Sequence, residues 1–257
     1  MSTNFNAIYV IVARELIKFV REKGKLVSTL ARPLIWLFLV GGGMSRMVSP
    51  DMGMPYMQFI FPGILGMTIL FSSIFSSISI IWDKEFGFMK EMLVAPVSRF
   101  SIVVGKALSG TLVSTIQAVI ILMLFPVIGL NIGAVQFLLI ILMCVGLAFC
   151  LASLGILIAT FYENFESFSV IMNFIVMPMF FLSGAMYPVK TLPAALGFLT
   201  MLNPLTYGID ALKYMVFPAK SGMSLTHDFS LAVDIAVVAV CSAVFVLIAG
   251  AMFERKK

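Results

Sequence analysis

The chain has 257 residues, 61% hydrophobic and 11% charged, with a mean hydropathy of +1.10. So few charged groups cannot cover a water-facing surface of that size, and the composition implies lipid as solvent. The net charge of +5 does not point to nucleic acid, because the basic residues flank apolar runs, where membrane topology explains them.

Apolar blocks recur almost to the C-terminus, so a single membrane domain over 1–257 is expected. The chain does not open on a short apolar region with a small-residue cleavage site, and no removable signal peptide is expected. Cys144, Cys150 and Cys241 lie in apolar runs without a CxxC pair or a nearby His. That pattern argues against a disulfide framework or a zinc site.

Residues 1–26 form the first predicted element. At 100° per residue, Phe5, Ile8, Tyr9, Val12, Leu16, Phe19 and Val20 fall within about 60° of one direction. Arg14, Glu15, Lys18, Arg21, Glu22 and Lys25 fall on the opposite half. Such a helix lies in the headgroup plane with its basic residues near anionic lipid; a stub packed on cytoplasmic loops is the alternative. Val10, Ile11 and Ile17 lie off the apolar stripe.

A hydrocarbon core about 30 Å thick needs roughly 20 apolar helical residues. Six windows meet that length, at about 28–47, 57–81, 102–128, 134–160, 166–187 and 229–252. Pro62-Gly63 and Pro178 interrupt the second and fifth, and such breaks are expected to face protein or a cavity. With six spans both termini share one side. That side carries all but Arg46, Lys190, Lys213 and Lys220 of the 17 Lys and Arg, so the termini are expected in the cytoplasm.

Between the second and third windows, Trp82 to Pro96 reads as one short cytoplasmic helix over 83–95, stopped by the proline. Phe86, Met89 and Leu93 recur at helical spacing, with Asp83, Lys84, Glu85, Lys90 and Glu91 around them. An apolar stripe with a charged rim suits a groove on a partner; a connecting helix on the membrane surface has the same composition. After the fifth window, 192–202 and 205–217 are apolar but too short to cross. Divided by the Asn203-Pro204 turn, they predict a hairpin of re-entrant helices within 188–228.

Catalytic signatures are missing from the sequence. No GxxxxGK[ST] loop is present, and Gly105-Lys106 lacks the flanking glycine and hydroxyl of one. There is no HExxH, no GxSxG and no plausible Ser/His pair; the lone His227 reads as structural or solvated. Asp234 is the main ionisable group in the spans, with Arg32 and Lys106 at cytoplasmic ends, so paired acids of the kind that drive ion-coupled carriers are not evident. Gln117 and Asn173, polar at membrane depth, either line a path or hydrogen-bond neighbouring helices.

Several of these segments together resemble the ABC-2-type transporter permeases. They are Phe61-Pro62-Gly63, Trp82-Asp83-Lys84-Glu85-Phe86-Gly87, Glu91 to Arg99, Gly105-Lys106, Asn164 to Phe168, Leu182 to Pro188, Leu192-Pro193 and Leu202 to Leu212. The resemblance implies an all-α membrane protein of six spans with cytoplasmic termini, in a bacterial or archaeal inner membrane. It implies a homodimer docked on two copies of a separate ABC ATPase that holds the ATP and Mg, with no cofactor on this chain. Residues 83–95 would be the coupling helix contacting that ATPase through Asp83, Lys84, Glu85, Phe86, Met89, Glu91 and Leu93. The sequence departs from the family pattern at Lys84, where an acid or Arg is common. The implied activity is export of a drug, lipid or lipid-linked glycan between the first, second and fifth spans, with Phe59, Asn173, Phe180 and Phe181 as candidate path residues. A carrier or channel without an ATPase, and an intramembrane enzyme, are the rival readings.

Overall fold

A computed structural model describes residues 4–45, 54–94, 97–189, 192–217 and 228–255. Helix α1 (Phe5–Arg21) starts at Asn4, whose side chain accepts from the Ala7 amide, the usual way to satisfy an orphan N–H at a helix start. Helix α2 (Lys23–Ile35) widens into a π-helical turn over Trp36–Gly41. Next come α3 (Tyr56–Ser76), α4 (Ile78–Glu85) and α5 (Phe88–Val94). They are followed by α6 (Arg99–Leu122), α7 (Ala134–Ala159), α8 (Phe165–Phe181), α9 (Ala194–Met201), α10 (Pro204–Val216) and α11 (Leu231–Arg255).

Among the described residues, five stretches are long and apolar enough to cross a membrane: Val27–Ser45, Tyr56–Glu85, Arg99–Leu122, Ala134–Ala159 and Leu231–Glu254. The chain is therefore a multi-pass membrane protein. The fifth predicted window yields α8, a shorter apolar helix of 17 residues. It stops because the chain turns after Phe181, with Gly184 at φ +72. The third window also ends early, at Leu122 rather than near 128. There Pro126 and Gly129 (φ +78) turn the chain, and Gln58 Nε2 donates to the Ile128 carbonyl at 3.1 Å.

Helix α3 is the hub. Every residue from Phe59 to Leu70 is buried, and α3 packs on α6, α7, α10 and the π-helical turn. With no hydrophobic drive between helices in lipid, close approach of small residues and interhelical hydrogen bonds hold such a bundle. Ser73 and Ser114 supply one of these bonds, at 2.9 Å between α3 and α6. Pro62 is buried, as expected of a break in a span, and a Cβ on Gly63 would collide with the Ala185 carbonyl oxygen. Only glycine permits that contact. Pro178 differs from expectation, because it lies exposed on α8. Outer faces of α7, α8 and α11 are apolar and exposed, with Leu142, Phe174 and Val240 among them. Such faces suit lipid or another chain.

The apolar stripe of α1 is only partly the buried one. Phe5, Tyr9 and Val20 are exposed, whereas Phe19 and the off-stripe Ile11 are buried. Ile11 stands directly over Gly105 of α6, and the Asn4 amide donates to Ser101 Oγ at 2.9 Å. Helix α1 thus turns one face to α6 and leaves the rest of its apolar side outward.

Candidate functional site

The sequence predicts one helix over 83–95, but the structure makes a corner. Helix α4 continues the second span to Glu85; the Phe86 amide bonds to the Trp82 carbonyl and the Gly87 amide to the Lys84 carbonyl. Gly87 has φ +80, the left-handed conformation that ends helices at glycine because no Cβ resists it. A separate α5 then runs from Phe88 to Val94.

This corner divides the predicted contact residues. Asp83 and Lys84 turn inward. Lys84 Nζ donates to the carbonyls of Ala159 at 2.7 Å and Tyr162 at 2.8 Å, closing the end of α7 where orphan carbonyls and the helix dipole favour a cation. Asp83 accepts from Lys106 Nζ at 2.5 Å and from Arg14 at 3.2 Å. Met89 is buried, while Glu85, Phe86 and Glu91 are exposed, Phe86 at 81%. The Leu93 side chain lies outside the described positions.

Behind the corner sits a four-charge cluster. Lys106 is 3% exposed, and its Nζ also donates to Glu15 Oε1 at 2.8 Å and Ser79 Oγ at 3.1 Å. Arg14 bonds Glu15 at 2.9 Å and lies over the Phe88 ring at 4.8 Å. Two acids balance two bases, so no uncompensated charge is buried. Burial alone would raise the Glu15 carboxyl, but Lys106 and Arg14 outweigh it and hold Glu15 below its ordinary value. From sequence, Glu15 and Arg14 belong to a solvated face and Lys106 to a span end. The legible signal was a lysine embedded in an apolar run, which needs partners.

A second polar centre joins α10 to α11. Lys213, fully buried, donates to the Gly184 carbonyl at 2.7 Å and lies 5.1 Å from the centre of the Phe59 ring. The Asp210 carboxylate accepts from the amides of Asp228 at 3.1 Å and Phe229 at 2.9 Å. Asp234, on the first turn of α11, is buried beside Asp210, and neither of its oxygens has a donor among the described residues. The sequence marks Asp234 as the main ionisable group of the spans, and the structure sets Asp210, from α10 outside the spans, beside it. Asp210 and Asp234 are 24 positions apart, and only the fold brings them together. His227 lies outside the described residues.

The predicted helical hairpin is present as α9 and α10. Asn203 caps α10 through the Leu205 amide at 3.1 Å and ties it to α8 through the Met179 carbonyl at 2.7 Å. Tyr207 closes the turn onto the Met201 carbonyl at 2.9 Å.

The four candidate path residues stand in different settings. Phe59 is buried beneath Lys213. Phe180 is buried with its ring edge-to-face against Trp36 at 6.0 Å, and Phe181 is 43% exposed. Asn173 is exposed and bonds the Ser169 carbonyl of its own helix, not a neighbouring helix. None of them lines the cavity of about 380 Å³ bounded by α1, α2, α3, α4, α6 and the start of α8. Gln117 does line it, and donates across to Thr29 Oγ1 of α2 at 3.1 Å.

Residues 6–217 match the ABC-2 type transporter family. The inner membrane transport permease YadH of Escherichia coli is 28% identical over 97% of this chain and 95% of its own length. The transport permease ycf38 of Cyanophora paradoxa is 32% identical over 81% of this chain and 73% of its length. Nodulation protein J of Rhizobium meliloti is 28% identical over 79% and 76%. The chain belongs to the ABC-2 type transporter family and is a transport permease.

Proposed function

We propose that the chain is the membrane subunit of an ATP-driven exporter, working as a homodimer on two copies of a separate ABC ATPase that holds ATP and Mg. The reading takes the chain as one membrane domain of six spans, α8 being the fifth. Both termini are cytoplasmic, α9 and α10 are re-entrant from the outer side, and the membrane is a bacterial or archaeal inner membrane. No nucleotide binds to this chain. The substrate class is an amphipathic or lipophilic molecule: a drug, a lipid or a lipid-linked glycan.

The observation that carries the reading is the corner at Gly87. Glu85, Phe86, Glu91 and Val94 project outward from it, while Asp83, Lys84 and Met89 anchor it to α1, α6 and α7. An exposed aromatic with two acids on a rigidly mounted short helix suits a partner's groove. Because it is mounted on the second span, a push on α5 reaches α3 without an intervening flexible linker. Only a partner whose states contact α5 differently can shift the bundle between conformations.

Co-purification with a stoichiometric ATP-binding chain, followed by ATP-dependent uptake of lipophilic drugs and glycolipids into inside-out vesicles, tests the proposal. A complex that transports supports it; a chain that transports without an ATPase overturns it. The second reading, an ion-coupled carrier, is favoured by one observation, the burial of Asp234 beside Asp210, and predicts uptake driven by a proton or sodium gradient alone.

A further inference from the structure

The cavity bounded by α1, α2, α3, α4, α6 and the start of α8 has an amphipathic lining that the exporter reading leaves unused. Met67, Phe71, Phe75 and Trp82 make its apolar wall. Two cations line it, each over a ring: Lys18 Nζ lies 4.7 Å from the centre of Trp82, and the Arg32 guanidinium 4.6 Å from that of Phe71. Neither cation makes an ion pair among the described residues. Two acids line it as well, Glu22 and Glu15, the latter with Oε1 held by Arg14 and Lys106. Arg32 is three residues beyond Thr29 on α2, so both share one face, about one turn apart.

The interior is short of hydrogen-bond partners. Hydroxyl protons of Thr68, Ser76 and Ser109, which also line it, are donated to carbonyls of their own helices. Gln117 is 2% exposed, and with Nε2 on Thr29 its Oε1 is buried without a partner. A buried amide oxygen without a donor costs about 1–3 kcal/mol, so the site is built for a group that enters and donates. A hydroxyl meets the free amide atom whichever way the Gln117 side chain is turned, whereas an ammonium meets only one orientation.

We propose that this cavity is a binding site for the headgroup of a phosphate-bearing amphiphile whose head carries hydroxyl groups. The phosphate lies between Lys18 and Arg32, the hydroxyls reach Gln117, and the apolar chains remain outside, along α2 in the cytoplasmic leaflet. A volume of about 380 Å³ is at the small end of ligand pockets and holds a headgroup rather than a whole lipid. The leaflet assignment rests on the cytoplasmic orientation proposed above; the headgroup chemistry does not.

The chain has two tryptophans, so Trp36→Phe leaves Trp82, in the cavity wall, as the sole reporter. The full-length Trp36→Phe protein in detergent, without any ATPase, is titrated with dihexanoyl phosphatidylglycerol, dihexanoyl phosphatidic acid and inorganic phosphate. Phosphatidylglycerol is expected to give a saturable change in Trp82 emission, at least tenfold weaker in affinity with Lys18→Gln and Arg32→Gln combined. Gln117→Leu is expected to weaken phosphatidylglycerol about fivefold and leave phosphatidic acid unchanged, which also shows that the variant is folded. No saturable change, unaltered affinity in the double variant, or equal binding of inorganic phosphate overturns the proposal. Absence of an ATPase partner would sink the exporter reading and leave these titrations untouched.

Discussion

Lys106 and Asp83 meet with Nζ 2.5 Å from Oδ2, joining the N-terminal part of α6 to the end of α4 just before the corner that carries α5. Glu15 of α1 shares the same ammonium at 2.8 Å. One buried cation therefore clamps together three elements, α1, α4 and α6.

Lys106→Met leaves Glu15 and Asp83 with Arg14 alone. Removing one partner from a buried ion network costs about 3–5 kcal/mol. A thermal melt in detergent is expected to drop by several degrees, and Lys106→Arg is expected to recover part of the loss.

The same cluster makes stability depend on acid. Glu15 is held below its ordinary value of 4.5, so the folded state prefers its ionised form. That contribution is complete above pH 4.5 and is lost as pH falls through the lower folded value. Melts from pH 7 to 3 should show the wild type losing stability below about pH 4.5, and Glu15→Gln losing less over that window from a lower starting point.

Phe86→Ala and Glu91→Lys alter exposed side chains, where substitutions usually change stability by no more than about 0.5 kcal/mol. Both are expected to melt like the wild type and to lose ATP-driven export by tenfold or more in the vesicle assay. Wild-type export in both variants would remove α5 from the coupling role.

At Gly63 the backbone contact with Ala185 leaves no room for a methyl group. Gly63→Ala is expected to cost about 1–3 kcal/mol by overpacking, read as a lower melting temperature. Gly24→Ala, with open space around its Cβ position, is the control and should melt at or above the wild-type temperature.

Asp234 is buried without a donor among the described residues, and a buried unpaired carboxylate is a cost that a neutral isostere removes. Asp234→Asn is expected to melt at or above the wild type. Asp210→Asn, which weakens the acceptor for the Asp228 and Phe229 amides, is expected to melt lower. An Asp234→Asn protein that folds normally but loses transport would move the ion-coupled reading forward.

The motif segments from Phe61 to Leu212 were enough to name the family, and Asn203-Pro204 marked the turn between α9 and α10 because turn chemistry acts within a few residues. Gly87 is equally visible in the sequence, yet the spacing of Phe86, Met89 and Leu93 predicts one helix over 83–95. Composition alone does not reveal that a glycine has adopted a positive φ, and periodicity across it looked continuous. The candidate path residues fared differently, since burial depends on neighbours that sequence order hides: Phe59 and Phe180 are interior, Phe181 partly outward and Asn173 exposed.

The sequence by itself determined the solvent, the apolar helices and their approximate ends. Each follows from local composition set against the thickness of a bilayer. Tertiary structure alone decided which charges are partners. Glu15 and Lys106 are 91 residues apart and Asp83 and Lys106 are 23 apart, and such pairs become legible only when packing brings them within hydrogen-bond reach. In lipid the consequence is large, because a charge without a partner is costly there and a charge with one can clamp three helices.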